Sequence, residues 1–165
     1  MINSRDIKDL HPLVQPMAKA FLSKCNSRLE NLGVEVRLTS TLRDSAAQAA
    51  EYAKGRTTRG PACSCKVRAP DGSCAKHPLG LTVTRANAGQ SFHNYRVAFD
   101  FCPFIHGVPQ WANTSLFRAC GEIAEEVGLE WSGRWTNNPE MAHCQFTDGL
   151  SIKDFQAGKK LEDVK

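Results

Sequence analysis

The stretch SFHNYRVAFDFCPFI, residues 91–105, combines a strand pattern with polar side chains that catalytic sites use. Its second half alternates in a way that is typical of a β-strand, with Asp100 as a carboxylate among apolar residues. His93 and Asp100 are seven residues apart, an odd separation that would put them on opposite faces of one continuous strand. We therefore expect a bend at residues 94–96, which leaves His93 on a loop edge and Asp100 pointing inward.

The rest of the chain predicts a small mixed domain around this strand. Apolar spacing, capping residues and glycines indicate helices at 7–32, 44–54 and 114–127, and strands at 34–38 and 141–146. The predicted fold class is α+β, a small antiparallel sheet that carries the site, with helices packed on its other face.

Composition limits the classes of function. The chain has 165 residues, 41% hydrophobic and 23% charged, which is typical of one globular domain spanning 1–165. Its N-terminal stretch lacks the apolar run of a secretory signal, and no stretch reaches membrane-spanning length, so we expect synthesis and retention in the cytoplasm. The net charge of +4 is spread along the chain, which gives nucleic-acid binding little support. We expect a monomer.

A second histidine and a second acid lie far along the sequence. Glu140 follows a proline and can stand in a turn, while His143 would project from the start of the last strand. Two imidazoles and one carboxylate, here His93, Asp100 and His143, are a recurring ligand set for catalytic zinc, and a free carboxylate nearby can serve as a base. On spacing alone, both this interpretation and that of ordinary structural polar side chains stay open.

Three blocks of sequence resemble the zinc D-alanyl-D-alanine and L-alanyl-D-glutamate peptidases of the M15 family. The segment 91–100 is similar to the family's Ser-x-His-x6-Asp motif. Residues 128–135 and 140–146 resemble its Trp-Gly-Gly-x-Trp segment and its acidic-x-x-His signature. Residues 40–48, with Arg43 and Gln48, resemble Ser-x-x-Arg-x4-Gln. Three blocks in the right order are more specific than any one of them.

This resemblance implies a role for each site residue. His93, Asp100 and His143 would bind one catalytic zinc, Glu140 would be the general base, and Arg43 and Ser91 would hold substrate. An arginine near the metal could pair with a substrate carboxylate or a developing oxyanion. The alternative for Arg43 is a surface ion pair with a neighbouring acid, Asp44 or Glu51. The implied fold is that of the hedgehog and DD-peptidase group.

Several positions depart from the family pattern. Arg96 stands where the family usually has glycine, and Ser132 and Arg134 replace its glycine and acidic residue between two tryptophans. These changes leave the ligands intact and bear on substrate preference and on the loop after His93. The tryptophans themselves, Trp131 and Trp135, could line a groove or pack in the core.

A cysteine-rich loop insertion is predicted at about residues 56–89. Cys63, Cys65, Cys74 and His77 are four soft ligands that could close a second, structural zinc site. Free thiols or a local disulfide are the alternatives. The remaining cysteines fall in apolar elements and are interpreted as buried small hydrophobic residues: Cys25, Cys102, Cys120 and Cys144.

The implied activity is hydrolysis of a peptidoglycan stem peptide, with the L-alanyl-D-glutamate bond as first choice. A phage endolysin, made in the host cytoplasm and released to the wall through a membrane hole, fits a signal-free sequence. The competing hypotheses are a D-alanyl-D-alanine carboxypeptidase or dipeptidase, a non-catalytic zinc-binding module of the same fold, as in hedgehog-type domains, and a nucleic-acid-binding zinc knuckle at 63–77.

Overall fold

A computed structural model describes residues 1–163 and confirms the α+β class. The helices are α1 (Gln15–Leu29), α2 (Ser45–Ala53), α3 (Thr114–Glu126) and α4 (Ile152–Gln156). The strands are β1 (Val34–Ser40), β2 (Ala98–Ile105), β3 (Val108–Pro109), β4 (Glu130–Trp131) and β5 (His143–Gln145). The strand order is β1-β2-β5-β4, β3 pairs with the end of β2, and every pairing is antiparallel.

Aromatic packing fixes the helices on one face of the sheet. Phe21 of α1 lies 5.5 Å from Phe99 and 5.0 Å from Phe101, ring centroid to ring centroid, and Phe101 lies 5.5 Å from Phe117 of α3. All four rings are buried. Offset and edge-on rings at these separations add to the free energy gained by burial. Because the core occupies this face, the other face of β2 is left for polar side chains.

The first helix is shorter than the apolar pattern predicted. Residues 7–9 form a 3-10 turn, α1 begins at Gln15 with Pro16 in its first turn, and a second 3-10 turn covers 30–32. Proline lacks an N–H and is tolerated only in a first turn, which explains the late start. Leu32, predicted on the buried face, is 63% exposed, because the chain has left the α-helical period before reaching it.

The other elements match their predictions to within a few residues. Asn113 caps α3, and its side chain accepts a hydrogen bond from the backbone N–H of Leu116. The four cysteines assigned to apolar elements, residues 25, 102, 120 and 144, are fully buried. Within the described chain, residues 54–91 contain isolated bridges and turns instead of helices or strands. Among residues 1–163, no helix is both long and apolar enough to cross a bilayer.

Trp131 connects α3 to the turn that leads into β5. Its ring is 3% exposed and lies directly against Gly121 of α3 and against Gly133. Its indole N–H donates to the carbonyl of Met141, 2.8 Å away, two residues before β5. Trp131 is therefore a core residue that also holds the turn leading into His143.

This packing predicts that Gly121→Ala will destabilise the protein, against the usual effect of alanine in a helix. A Cβ at Gly121 would lie 2.1 Å from Trp131 Cδ2, so the indole must move. Overpacking of this kind costs about 1–3 kcal/mol, more than the gain of about 1 kcal/mol from helix propensity. Urea unfolding measures the change. The control Ser115→Ala, at an exposed position of the same helix, should stay within about 0.5 kcal/mol of wild type. A more stable Gly121→Ala protein would contradict the packing argument.

Candidate active site

The candidate site is built across three adjacent strands. Asp100 of β2 is the direct cross-strand partner of His143 in β5 and of Ser40 in β1. Cross-strand partners have Cβ atoms about 4.5–5.5 Å apart, so sheet register alone brings the carboxylate and one imidazole together. An irregularity in β1 between Leu38 and Ser40 ends the regular ladder at this point and redirects the chain that follows.

The predicted bend after His93 is present and has a defined geometry. Phe92–Tyr95 forms a 3-10 turn, and Arg96 ends it in the left-handed region with φ of 65°. The Ser91 hydroxyl accepts a hydrogen bond from the His93 backbone N–H, so Ser91 caps this turn. The substrate-holding role of Ser91 stays a prediction, while its contribution to the position of His93 is visible.

His93, Asp100 and His143 converge on one point. Asp100 Oδ1 lies 3.3 Å from His93 Nε2 and 3.1 Å from His143 Nδ1. A tetrahedral ion with bonds of about 2.0–2.1 Å sets its ligand atoms about 3.3–3.4 Å apart. The two observed separations are close to this distance between ligand atoms. The three side chains therefore have the spacing of a zinc site with a fourth position left open.

In each imidazole, the ring nitrogen that faces away from Asp100 is held by a hydrogen-bond acceptor. His93 Nδ1 lies 2.7 Å from the carbonyl oxygen of Thr41, which can only accept, so its proton sits there and the Nε2 lone pair faces Asp100. His143 Nε2 lies 3.1 Å from Gln145 Oε1, and the amide of Gln145 is oriented because its Nε2 donates to Glu130 Oε2.

Three electron pairs are thus directed at a common point, an arrangement that a cation satisfies. Partners of this kind fix the tautomer and orientation of metal-binding histidines. Residues Thr41 and Gln145 were not singled out from the sequence for this role. A backbone carbonyl leaves no trace in a residue pattern, whereas Gln145, two residues after His143 on the same strand face, could have been found from strand periodicity.

The electrostatics of the group follow from the same contacts. Burial alone would raise the pKa of Asp100, but the facing imidazoles of His93 and His143 hold it well below its usual range. Burial alone would lower the pKa of His143, but the hydrogen bond and the charge of Asp100 raise it. Asp100 is therefore ionised near neutral pH, as a metal-binding carboxylate must be.

Arg43 holds the second oxygen of the same carboxylate. Its Nη2 lies 3.4 Å from Asp100 Oδ2 and 3.1 Å from the Ser40 hydroxyl, and its Nη1 donates to Gln48 Oε1 at 3.0 Å. The side chain is 13% exposed, so the alternative of a surface ion pair with a neighbouring acid is wrong. Arg43 orients Asp100 and also lines the cavity described next.

A cavity of about 410 Å³ opens over the three convergent side chains. Glu140 and Trp135 line it on one side, with Arg43 and Ser91 also in its wall. Glu140 lies in the turn before β5, where its carbonyl accepts from the His143 N–H. The Trp135 ring centroid lies 6.1 Å from that of His143. Of the two tryptophans left open by the sequence, Trp135 lines the cavity and Trp131 is core.

The cysteine-rich loop also brings its four predicted ligands together. Cys63, Cys65, Cys74 and His77 each offer a ligand atom, and these atoms all lie within 4.8 Å of one another. Within the described residues, they form a second group separate from the cavity residues His93, Asp100 and His143.

Comparison with known proteins finds similarity to one family. A family model described as D-alanyl-D-alanine carboxypeptidase, of the M15 peptidases, matches residues 84–146, which include both histidines, Asp100 and Glu140. The peptidoglycan L-alanyl-D-glutamate endopeptidase CwlK of Bacillus subtilis (strain 168) is 28% identical over 146 residues, 83% of this chain and 73% of that protein. The similarity to the M15 peptidase family is thus carried by residues 84–146. The resemblance inferred from the three sequence blocks is confirmed at the level of the family.

The fold is also similar to that of a solved cell-wall peptidase. The crystal structure of the Serratia marcescens L-Ala D-Glu endopeptidase ChiX superposes with a TM-score of 0.57 over 93% of this chain and 92% of that one. At 16% identity, this similarity concerns the fold alone. The predicted peptidase fold, an antiparallel sheet with the site on one face and helices on the other, is thereby confirmed.

Two of the three departures of this chain from the M15 pattern have local compensations. Arg96 adopts a backbone conformation that favours glycine, and its guanidinium donates to the carbonyls of Asp9 and Leu10 at 2.6 and 3.1 Å. Arg134 forms a bidentate ion pair with Glu125 at 2.7 and 2.8 Å. The buried hydroxyl of Ser132 makes no hydrogen bond within the described residues.

Because the Gln145 amide holds the His143 imidazole, we predict that Gln145→Ala will weaken metal binding. Without the amide oxygen, the imidazole loses the acceptor that fixes its tautomer, and outer partners of this kind are worth about 10–100-fold in metal affinity. Zinc affinity, measured by competition with a chelator of known affinity, tests this. The control is Gln110→Ala, since that amide donates to Val108 in the turn at the far end of β2. Equal zinc affinity in wild type and Gln145→Ala would contradict the assignment of Gln145.

Proposed function

We propose that the protein is a zinc-dependent endopeptidase that cleaves the stem peptide of peptidoglycan between L-alanine and D-glutamate. The observation that carries the proposal is the convergence of His93, Asp100 and His143 beneath a cavity that is also lined by Glu140. The relative CwlK, whose name states an L-alanyl-D-glutamate endopeptidase, supports the choice of bond.

The donor set fits zinc. Two neutral imidazoles and a carboxylate, with both imidazole tautomers fixed by outer acceptors, are the ligands of a catalytic zinc site that keeps one position open. The chemistry supplied by zinc at such a site is polarisation of a carbonyl and activation of water at neutral pH. His93, Asp100 and His143 would hold the ion, and Thr41 and Gln145 would keep the two rings in their binding orientation.

The side chains around the ligands supply the remaining steps. Glu140, exposed at the cavity wall, accepts a proton from the attacking water and passes it to the leaving amine. Among the described residues that line the cavity, Arg43 alone has a permanent positive charge, and D-glutamate presents a free carboxylate next to the scissile bond. Arg43 would bind that carboxylate while it holds Asp100. Trp135 would provide an apolar wall for the peptide.

The proposed function predicts that Glu140→Gln will lose peptidase activity. The amide keeps the shape of the side chain but cannot accept the proton, and a general base contributes about 10²–10⁴-fold in rate. Digestion of purified murein, with fragments identified by mass spectrometry, measures cleavage. Chelation should abolish it and zinc should restore it. The matched control is Glu122→Gln, an exposed position on α3.

The fragments also separate the competing hypotheses. Cleavage at the proposed bond leaves L-alanine on the glycan and releases peptides that begin with D-glutamate. Release of free D-alanine would instead indicate the carboxypeptidase named in the family description. Unchanged cleavage by Glu140→Gln would show that the base is wrongly assigned, and absence of cleavage by wild type with zinc bound would favour a non-catalytic module.

We also propose that the protein is the lytic enzyme of a bacteriophage, made in the host cytoplasm and acting on the wall after release through a membrane hole. The proposed substrate lies outside the membrane, which supports a separate release step. Expression in a bacterial host should leave turbidity unchanged until the membrane is permeabilised, after which turbidity should fall. Glu140→Gln is the matched control. Lysis without permeabilisation would contradict this arrangement.

A further inference from the structure

The segment from Gly55 to Gly89 has almost no hydrophobic interior. Cys63 and Cys74 are its only buried residues, and neither belongs to the core cluster of the domain. Ordering a segment of this length costs about 1–2 kcal/mol for each backbone residue. Elements that cannot bury enough apolar surface to offset this cost are commonly held by a metal or a disulfide.

The four ligand atoms of this segment converge, and the two sulfur–nitrogen distances match those of a tetrahedral zinc site. Cys65 Sγ and Cys74 Sγ lie 3.6 and 3.7 Å from His77 Nδ1, and a zinc ion with ordinary bond lengths sets sulfur and nitrogen ligands about 3.5 Å apart. Cys63 Sγ lies 3.1 Å from Cys74 Sγ. That distance is well beyond a disulfide bond of about 2.05 Å. A disulfide would also leave the convergence of Cys65 and His77 unexplained.

A tight turn brings the two pairs of ligands together. The chain reverses at residues 69–73, where the Ala69 N–H donates to the Ser73 carbonyl and the Asp71 carboxylate accepts from Ser73. The arms on either side pair through Arg68 and Cys74. One arm thus supplies Cys-x-Cys and the other supplies Cys-x-x-His, as in structural zinc sites that join two ligand pairs across a turn.

Backbone N–H groups donate to two of the three thiols in this group. The N–H of Cys65 donates to Cys63 Sγ at 3.2 Å, and the N–H of His77 donates to Cys74 Sγ at 3.3 Å. The hydrogen bond from Cys63 and those around His77 lower the pKa of Cys74 to about 6, while the hydrogen bond with Cys63 raises the pKa of Cys65 to about 11. A bound cation would favour deprotonation of all three thiols. Residues 56–89 contain six Lys or Arg and one Asp, a balance that suits an anionic zinc–thiolate group.

The segment also forms part of the catalytic cavity. Val83, Thr84 and Ala86 line the cavity together with Trp135 and Glu140. The Ala86 carbonyl accepts from Gln48 Nε2 at 2.6 Å, and Gln48 in turn accepts from Arg43. An ordered loop would therefore keep one wall of the cavity in place and support the residue that orients Asp100.

We propose that Cys63, Cys65, Cys74 and His77 bind a second zinc ion, which has a structural role and holds the loop that walls the active site. This site is separate from the His93, Asp100 and His143 group, and its occupancy does not depend on the proposed peptidase activity.

Metal analysis of purified variants tests the proposal. The protein is prepared from a zinc-supplemented culture under reducing conditions, and zinc is counted per chain. Wild type should hold two equivalents, Cys65→Ser one, and His143→Ala one, because each substitution removes a ligand from a different site. The matched control Cys102→Ser, at a buried core cysteine whose Sγ donates to the Pro103 carbonyl, should hold two.

Cobalt substitution identifies the ligands even if a variant folds poorly. Only the cysteine site contains sulfur, so a thiolate-to-cobalt charge-transfer band should appear in wild type and in His143→Ala but not in Cys65→Ser. One zinc per wild-type chain with no such band would overturn the proposal. A Cys63–Cys74 disulfide in the purified protein, detected as two thiols missing from the seven after denaturation, would also overturn it.

Discussion

The negative charge of Asp100 is the constraint on which the rest of the site depends. It lies on a strand whose other face forms the hydrophobic core, and its side chain is only partly exposed, so leaving the carboxylate unpaired would cost free energy. One carboxylate oxygen faces two imidazoles and the other faces Arg43. Each of these partners needs support of its own, because an imidazole or a guanidinium that can rotate away would leave the charge unpaired. The Thr41 carbonyl and the amides of Gln48 and Gln145 provide it.

The fold and the central residues of the site could be predicted because they leave periodic or spaced signals in the sequence. Alternation marks the strand that contains Asp100, and the odd separation from His93 requires a bend, which the 3-10 turn at Phe92–Tyr95 supplies. The parts that escaped prediction carry either no such signal or a misleading one. The Thr41 carbonyl belongs to the backbone, and Leu32 satisfies the helical spacing although the helix ends at Leu29.

Arg96, which departs from the family pattern, shows how the cost of a strained backbone conformation is offset by contacts with a distant segment. The left-handed conformation of Arg96 costs a non-glycine residue about 1 kcal/mol. Its guanidinium reaches the carbonyls of residues 8–10, and its own carbonyl accepts from the His11 N–H. The bend that positions His93 is thereby attached to the N-terminal segment. A glycine at this position would remove the strain and would also remove that attachment.

Two stretches of the cysteine-rich segment, residues 60–61 and 79–81, cross each other in close contact. Gly60 donates to the Leu79 carbonyl and Leu81 donates to the Pro61 carbonyl, and a Cβ at Gly60 or Gly80 would meet the opposite backbone at 2.1 or 2.5 Å. Because this crossing closes the loop, its length can change at an entropic cost that grows only slowly with the number of residues. The segment beyond the crossing, residues 61–79, is therefore a unit that evolution can lengthen or replace without moving the cavity-lining residues 83–86 or the sheet that holds Asp100.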